Sequence, residues 1–435
     1  MSSINKKFDV TVFGATGLTG KHIVRHIFQL ATDNPNLLPS NFNWAIAGRN
    51  EENLEAIVQE MLQAYAQASI NPPSVLVASV TQRENLDNIT GQTKVLINAV
   101  GPFRFMGEYV VRSCVEQGCH YVDVTGEPEF VERMQRTYHE KAVSNRVTIV
   151  HSCGFDSVPT DMGVLYTKKL YTEKGWVPSQ IEMFFKMHTG EAGMRGGYAT
   201  YESAVHGFGS AELLREIRKA SMLKKLGAPV GSRLKFHKGV TKDKEYGYHV
   251  PFVFADPSIV RLSQQIFLTG YANTSDNNES IPPTVQFTAY LLLPSLWAVV
   301  LYMFYGFIFS FLAGSHWGRQ LLLKHPKFFS AGLFGREHPS QTQLDQTSFE
   351  VILRSKGYEQ VPIDDKMQPT KSLKVVVRGP EPGYVATPRL VLQSALVLLQ
   401  HERVPCGVFT PSTAFWQTDL IQRLGQVGIH FDISD

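Results

Sequence analysis

Cysteine is scarce in this sequence. Cys114, Cys119, Cys153 and Cys406 are the only four in 435 residues, and none is spaced as a metal knuckle or a CxxC pair. Neither a disulfide framework nor a metal site is indicated, and scattered thiols suit a reducing compartment. Charge of one sign is also missing. Forty-two Lys and Arg against 39 Asp and Glu leave a net charge of +3, too little to draw nucleic acid. No secretory leader is expected, because 1–7 is short and polar and the first apolar run, from Phe8, has the character of a strand. The most informative absence is local. Between Ser280 and Ser315 there is no Asp, Glu, Lys or Arg.

What is present first is an alternation of strand and helix. β-Rich runs at 8–13, 44–47, 74–78, 95–99, 120–124 and 147–151 are separated by helical spacing at 18–31, 51–68, 107–117 and 129–144. The connections are too long for hairpins, so the strands should be parallel with helical crossovers. The expected fold class is α/β: a doubly wound Rossmann-type sheet over 1–155, strand order 3-2-1-4-5-6, with a second α+β domain carrying an apolar helical hairpin. That second domain starts over 156–280, with a strand at 181–187, a ribbon or loop at 235–248 and a linker at 271–283. The apolar segment spans 281–318. Over 319–435 the domain resumes with a strand at 374–378, and helices at 388–400 and 419–424 pack back on the first body.

Gly14-Ala15-Thr16-Gly17-Leu18-Thr19-Gly20 lies between the first strand and the first helix. Gly14 suits the tight turn, Gly17 the approach of a pyrophosphate, and Gly20 the close packing of helix on sheet. The amides of Thr16, Leu18 and Thr19 should face the phosphates. The second strand ends Ala47-Gly48-Arg49, where an NAD site would place an acid. Arg49 can pair with a 2′-phosphate, which favours NADP(H) over NAD(H). Ala99, Gly101 and Pro102 follow the fourth strand, at the edge where the nicotinamide half should lie.

Several motifs together resemble the saccharopine dehydrogenase-like oxidoreductase family. They are the glycine loop, Ala47–Arg49, 98–107, Tyr121-Val122-Asp123-Val124-Thr125-Gly126-Glu127, Gly154-Phe155-Asp156-Ser157-Val158-Pro159-Thr160-Asp161, Ser203–Gly209 and Thr410-Pro411-Ser412. The resemblance spans nearly the whole chain and implies an NAD(P)-dependent oxidoreductase. It also implies links to lipid and glycolipid metabolism, since bacterial members act as enoyl reductases and eukaryotic ones associate with lipid droplets, mitochondria and other membranes. One departure is Ala199, where the family often has glycine before Thr-x-x-Ser.

Hydride transfer needs a polar group able to exchange a proton beside the nicotinamide. Asp156, Ser157 and Glu127 are the catalytic candidates, with Asp123, Thr125, His151, Thr160 and Asp161 nearby in sequence. Asp156 or Ser157 could equally cap a helix beginning before Pro159. Cys153 is read as an inert buried thiol, and His188, Tyr198 and Tyr201 as further donors from the second domain. The uncharged segment is long enough for one membrane span, but a hairpin or interfacial helix pair keeps both flanks on one side. Buried helices or a homodimer interface are the alternatives. Three functions follow: an NADP(H)-dependent oxidoreductase of a lipid-like substrate at a membrane or droplet surface; a saccharopine-type amino-acid enzyme using Arg195, Arg215 and Arg218; and a non-catalytic NADP(H)-binding scaffold.

Overall fold

The computed structural model describes residues 6–208, 211–273, 280–364, 366–401 and 403–434. Gly209 of the quoted motif and 274–279 of the expected linker lie outside the described residues. In chain order the first half runs β1 (Phe8–Phe13), α1 (Leu18–Asp33), β2 (Trp44–Gly48), α2 (Glu51–Ala64), β3 (Ser74–Val77), α3 (Arg83–Gln92), β4 (Thr93–Asn98), α4 (Phe103–Gln117), β5 (His120–Asp123), α5 (Pro128–Ser144), β6 (Thr148–Val150), α6 (Val158–Glu173), β7 (Val177–His188), β8 (Gly196–Gly197), α7 (Tyr198–Phe208) and α8 (Ala211–Lys219). It continues β9 (Thr241–Asp243), β10 (Gly247–Pro251), α9 (Asp256–Thr269), β11 (Gln286–Leu293), α10 (Leu296–Ala313), α11 (His316–Lys324), α12 (Pro326–Phe329), β12 (Phe334–Gly335), α13 (Gln341–Gln346), β13 (Ser348–Tyr358), β14 (Lys371–Pro380), α14 (Thr387–Gln400), β15 (Gly407–Phe409), α15 (Pro411–Phe415), α16 (Leu420–Gln426) and β16 (His430–Ser434).

The first sheet has the order β15-β6-β5-β4-β1-β2-β3, all parallel. It reproduces the expected 3-2-1-4-5-6 order and adds a seventh strand from the far end of the chain. Val408 of β15 pairs with Ile149, so the sheet continues past β6. Four residues of α14, Leu390, Val391, Ala395 and Leu396, are fully buried, and the helix lies on α1, β4 and β5. The nucleotide lobe thus draws on residues far beyond position 155. The helices also differ in two ways: α2 stops at Ala64, and α3 was not expected.

The second sheet is mixed, in the order β16-β14-β13-β7-β11-β10-β9. Its β11 is the main surprise, since the uncharged segment begins as a strand and not as a helix. Phe287, Ala289 and Leu291 face the main core, while Tyr290 and Leu292 join a cluster on the opposite face. Apolar packing on both faces leaves no alternation to mark a strand. Pro294 ends it, and Ser295 Oγ accepts from Ala298 N at 3.1 Å to cap α10. The helical hairpin is α10 and α11, displaced toward the C-terminus of the segment.

Candidate functional site

The carboxyl edge of the first sheet gathers the sequence motifs. Gly14 has φ +89°, a conformation that favours glycine, and a Cβ there would lie 2.8 Å from Val100 Cγ2. A Cβ at Gly20 would lie 2.1 Å from the Gly14 carbonyl oxygen, so α1 rests directly on the loop. Gly17 N donates to Gly14 O at 2.9 Å, closing the turn. Thr16 and Gly17 are exposed, Leu18 and Thr19 half-buried, and α1 has no acid in its first turn. Its free amides therefore face an open edge with no competing carboxylate, which fits a pyrophosphate. Arg49 stands exposed directly after β2, free to meet a 2′-phosphate. Ala99 N donates to Phe13 O, and Gly101 and Pro102 lead into α4 beside the glycine loop.

The three catalytic candidates separate by their contacts. Glu127 is buried and both its oxygens are occupied. Oε1 accepts from Phe103 N and Ser203 Oγ, each at 3.1 Å, while Oε2 accepts from Arg104 N at 3.2 Å and Arg104 Nε at 2.8 Å. These contacts clamp the start of α4. Ser157 occupies the N-cap position of α6, yet its Oγ is buried without a hydrogen-bond partner. Asp156 is different again. Its carboxyl lies over Gly126, where a Cβ would come within 2.6 Å of Oδ2. The carboxyl makes no hydrogen bond to any described residue, and burial pushes it up to about 6.

The remaining candidates make the following contacts. Asp123 accepts from Tyr121 OH at 2.9 Å and lies 2.7 Å from His151 Nδ1, all three fully buried. Its other oxygen ties down Thr125 N and Ser152 N. Asp161 accepts from Ser263 Oγ at 2.7 Å and Ser412 N at 2.8 Å, so the Gly154–Asp161 and Thr410–Ser412 motifs meet in one buried junction. Burial pushes the Cys153 thiol well up, which leaves it inert. His188 lies by Glu350, Tyr198 under Arg336, and the Tyr201 hydroxyl is buried without a partner.

Sequence reasoning passed over two residues that the fold brings to this edge, and a third, Ser203, was quoted only as part of a motif. Ser203 of α7 reaches Glu127. Tyr384 follows Glu381, whose carboxylate collects the amides of Gly383, Tyr384 and Val385, and its ring lies 5.4 Å from His22 of α1. Asp256, at the start of α9, is buried near Thr160, and burial holds its carboxyl well above the usual range. α7 joins this edge to the apolar helix. Tyr201 and Val205 pack with Leu312, Ala313 and Leu322, while the His206 carbonyl accepts from Arg104 Nη1 at 2.7 Å.

A glycine-loop edge with an exposed arginine after β2 fits an NADP(H)-binding oxidoreductase. Residues 10–150 match the family described as Saccharopine dehydrogenase NADP binding domain. A human saccharopine dehydrogenase-like oxidoreductase is 36% identical over 438 residues, covering 100% of this chain and 99% of the relative. A Caenorhabditis elegans protein named lipid droplet localized protein is 31% identical, covering 98% of each chain. The fold is similar to that of apo saccharopine dehydrogenase (L-Glu forming) from Saccharomyces cerevisiae, at 11% identity and a TM-score of 0.50 over 98% of this chain and 100% of that one. The chain belongs to the saccharopine dehydrogenase-like oxidoreductase family and binds NADP(H).

Proposed function

We propose that this protein is an NADPH-dependent reductase of a lipid-like substrate, working at a membrane or lipid-droplet surface with Asp156 as the proton donor. The observation that carries this reading is the Asp156 carboxyl, held without a hydrogen-bond partner at the nucleotide edge and raised to about 6. When bound, NADPH supplies a hydride to the electrophilic carbon of a polarised double bond. Asp156 delivers the balancing proton to the other atom of that bond and recovers one from water. Glu127 and Arg104 keep the start of α4 in place, and Phe155 excludes water from one side. Its ring packs 4.7 Å from Phe349.

An amino-acid substrate with several carboxylates is disfavoured by what the arginines do. Arg195 is paired with Glu337 and Arg218 with Glu132. Only Arg215 of the three expected remains outside an ion pair among the described residues.

α10 supports the surface location. It is long and apolar enough to cross a membrane, and most of it is uncovered. Phe307 and Phe311 are 74% and 75% exposed, and Trp297 and Trp317 mark the two ends of the hairpin. The chain leaves β11 for α10 and returns to β13, and both strands flank β7 in one sheet. A single crossing would separate them, so α10 lies in the surface. The name of the nematode relative agrees with a droplet surface.

The test is NADPH absorbance with long-chain enoyl and keto substrates and with saccharopine, using wild type and Asp156→Asn. Oxidation with a long-chain substrate is expected, lost in Asp156→Asn with NADPH binding kept. Turnover of saccharopine alone, or NADPH binding with no turnover of anything, refutes the reading.

A further inference from the structure

Four phenylalanine rings stand in series beside Asp156. Phe155 lies 5.6 Å from Phe185, Phe185 lies 5.8 Å from Phe252, and Phe252 lies 5.1 Å from Phe254, centroid to centroid. They come from three separate stretches: the turn into α6, the end of β7, and the segment from β10 to α9. Each neighbour is tilted or edge-on, the geometry aromatic pairs prefer.

The inner part of the row packs on the main core, and its outer end is open. Phe185 is buried, but Phe155 and Phe252 are only partly covered, and the outer end is open, with Val253 71% and Phe254 52% exposed. At the inner end stands Asp156. The segment that carries Phe252 and Phe254 runs on into Asp256, buried near Thr160, whose carboxyl burial holds well above its usual range. The four rings form an apolar row that runs from beside Asp156 to solvent. A polar substrate has no use for it. A methylene chain gains from every ring it covers.

We infer that this wall holds the acyl chain of the substrate, with the reducible carbon at Asp156 and the tail leaving past Val253 and Phe254. The inference rests on Asp156 marking the reacting end. Affinity for straight-chain fatty acids then rises with length, by up to about fourfold for each methylene that stays on the wall.

The experiment is photolabelling of the full chain, saturated with NADP+, by a diazirine-bearing palmitic acid analogue, with the labelled peptides mapped by mass spectrometry. Label is expected on the peptide containing Phe252–Phe254, removed by excess palmitate. Phe254→Ser, a change at an exposed site, should weaken palmitate competition at least tenfold and leave NADPH affinity unchanged. Label confined to Leu296–Ala313, or equal competition in Phe254→Ser, overturns the inference. Either result leaves the reductase reading standing if long-chain turnover is present. Label on the wall with no turnover of any substrate separates the opposite case, a lipid-binding scaffold.

Discussion

At Gly20 a single added carbon would meet a backbone oxygen at 2.1 Å, and backbone has little room to yield. Gly20→Ala should displace the loop from α1. NADPH affinity should fall at least tenfold, as read by nucleotide fluorescence, with the far-UV circular dichroism retained. Asp156 makes a second prediction. Its carboxyl is raised to about 6, so its protonated fraction is high below that pH and falls as pH rises through it. The reduction rate should therefore decline above about pH 6, roughly tenfold per unit, and a pH–rate profile reads this directly. A profile unchanged in a residually active Asp156→Asn enzyme would assign that titration to another group. The glycines and Arg49 were legible because their task depends on spacing after a strand. Asp156, Ser157 and Glu127 were legible only as a group. Nothing in their order shows that Glu127 is saturated while Asp156 has no partner. Tyr384 and Asp256 were not legible, because each reaches the site from a distant part of the chain, and Ser203 was legible only as part of a motif.

Among the elements, the strands of the first sheet could be read because each short apolar run is set off by a helix. β11 could not, because its two apolar faces and the helix after Pro294 merge into one uncharged run. The length of that run suggested a membrane element, and the structure concentrates its exposed part in α10. Phe307 and Phe311 each present most of a ring to solvent. Transfer of such a side chain out of water is worth about 1.5–3 kcal/mol. Phe307→Ser with Phe311→Ser should therefore lower vesicle affinity more than tenfold in a flotation assay, with NADPH binding intact. α7 lies between α10 and Glu127, so α10 is tied to the catalytic body through packed side chains and does not hang from it as a tether.

For the whole molecule, the boundary expected at 155 does not mark an independent unit. β15 supplies the last strand of the nucleotide sheet, and α14 covers β4 and β5. A fragment of residues 1–155 should bind the dye ANS and elute as aggregate in size exclusion, whereas the full chain should not. This arrangement also sets an order of events on the ribosome. The glycine loop and six strands emerge first, α10 follows, and the strand and helix that complete the nucleotide sheet come out last. The apolar hairpin is therefore available to a lipid surface before the first lobe is closed, and a nascent chain that stalls before β15 carries an unpaired strand edge in β6.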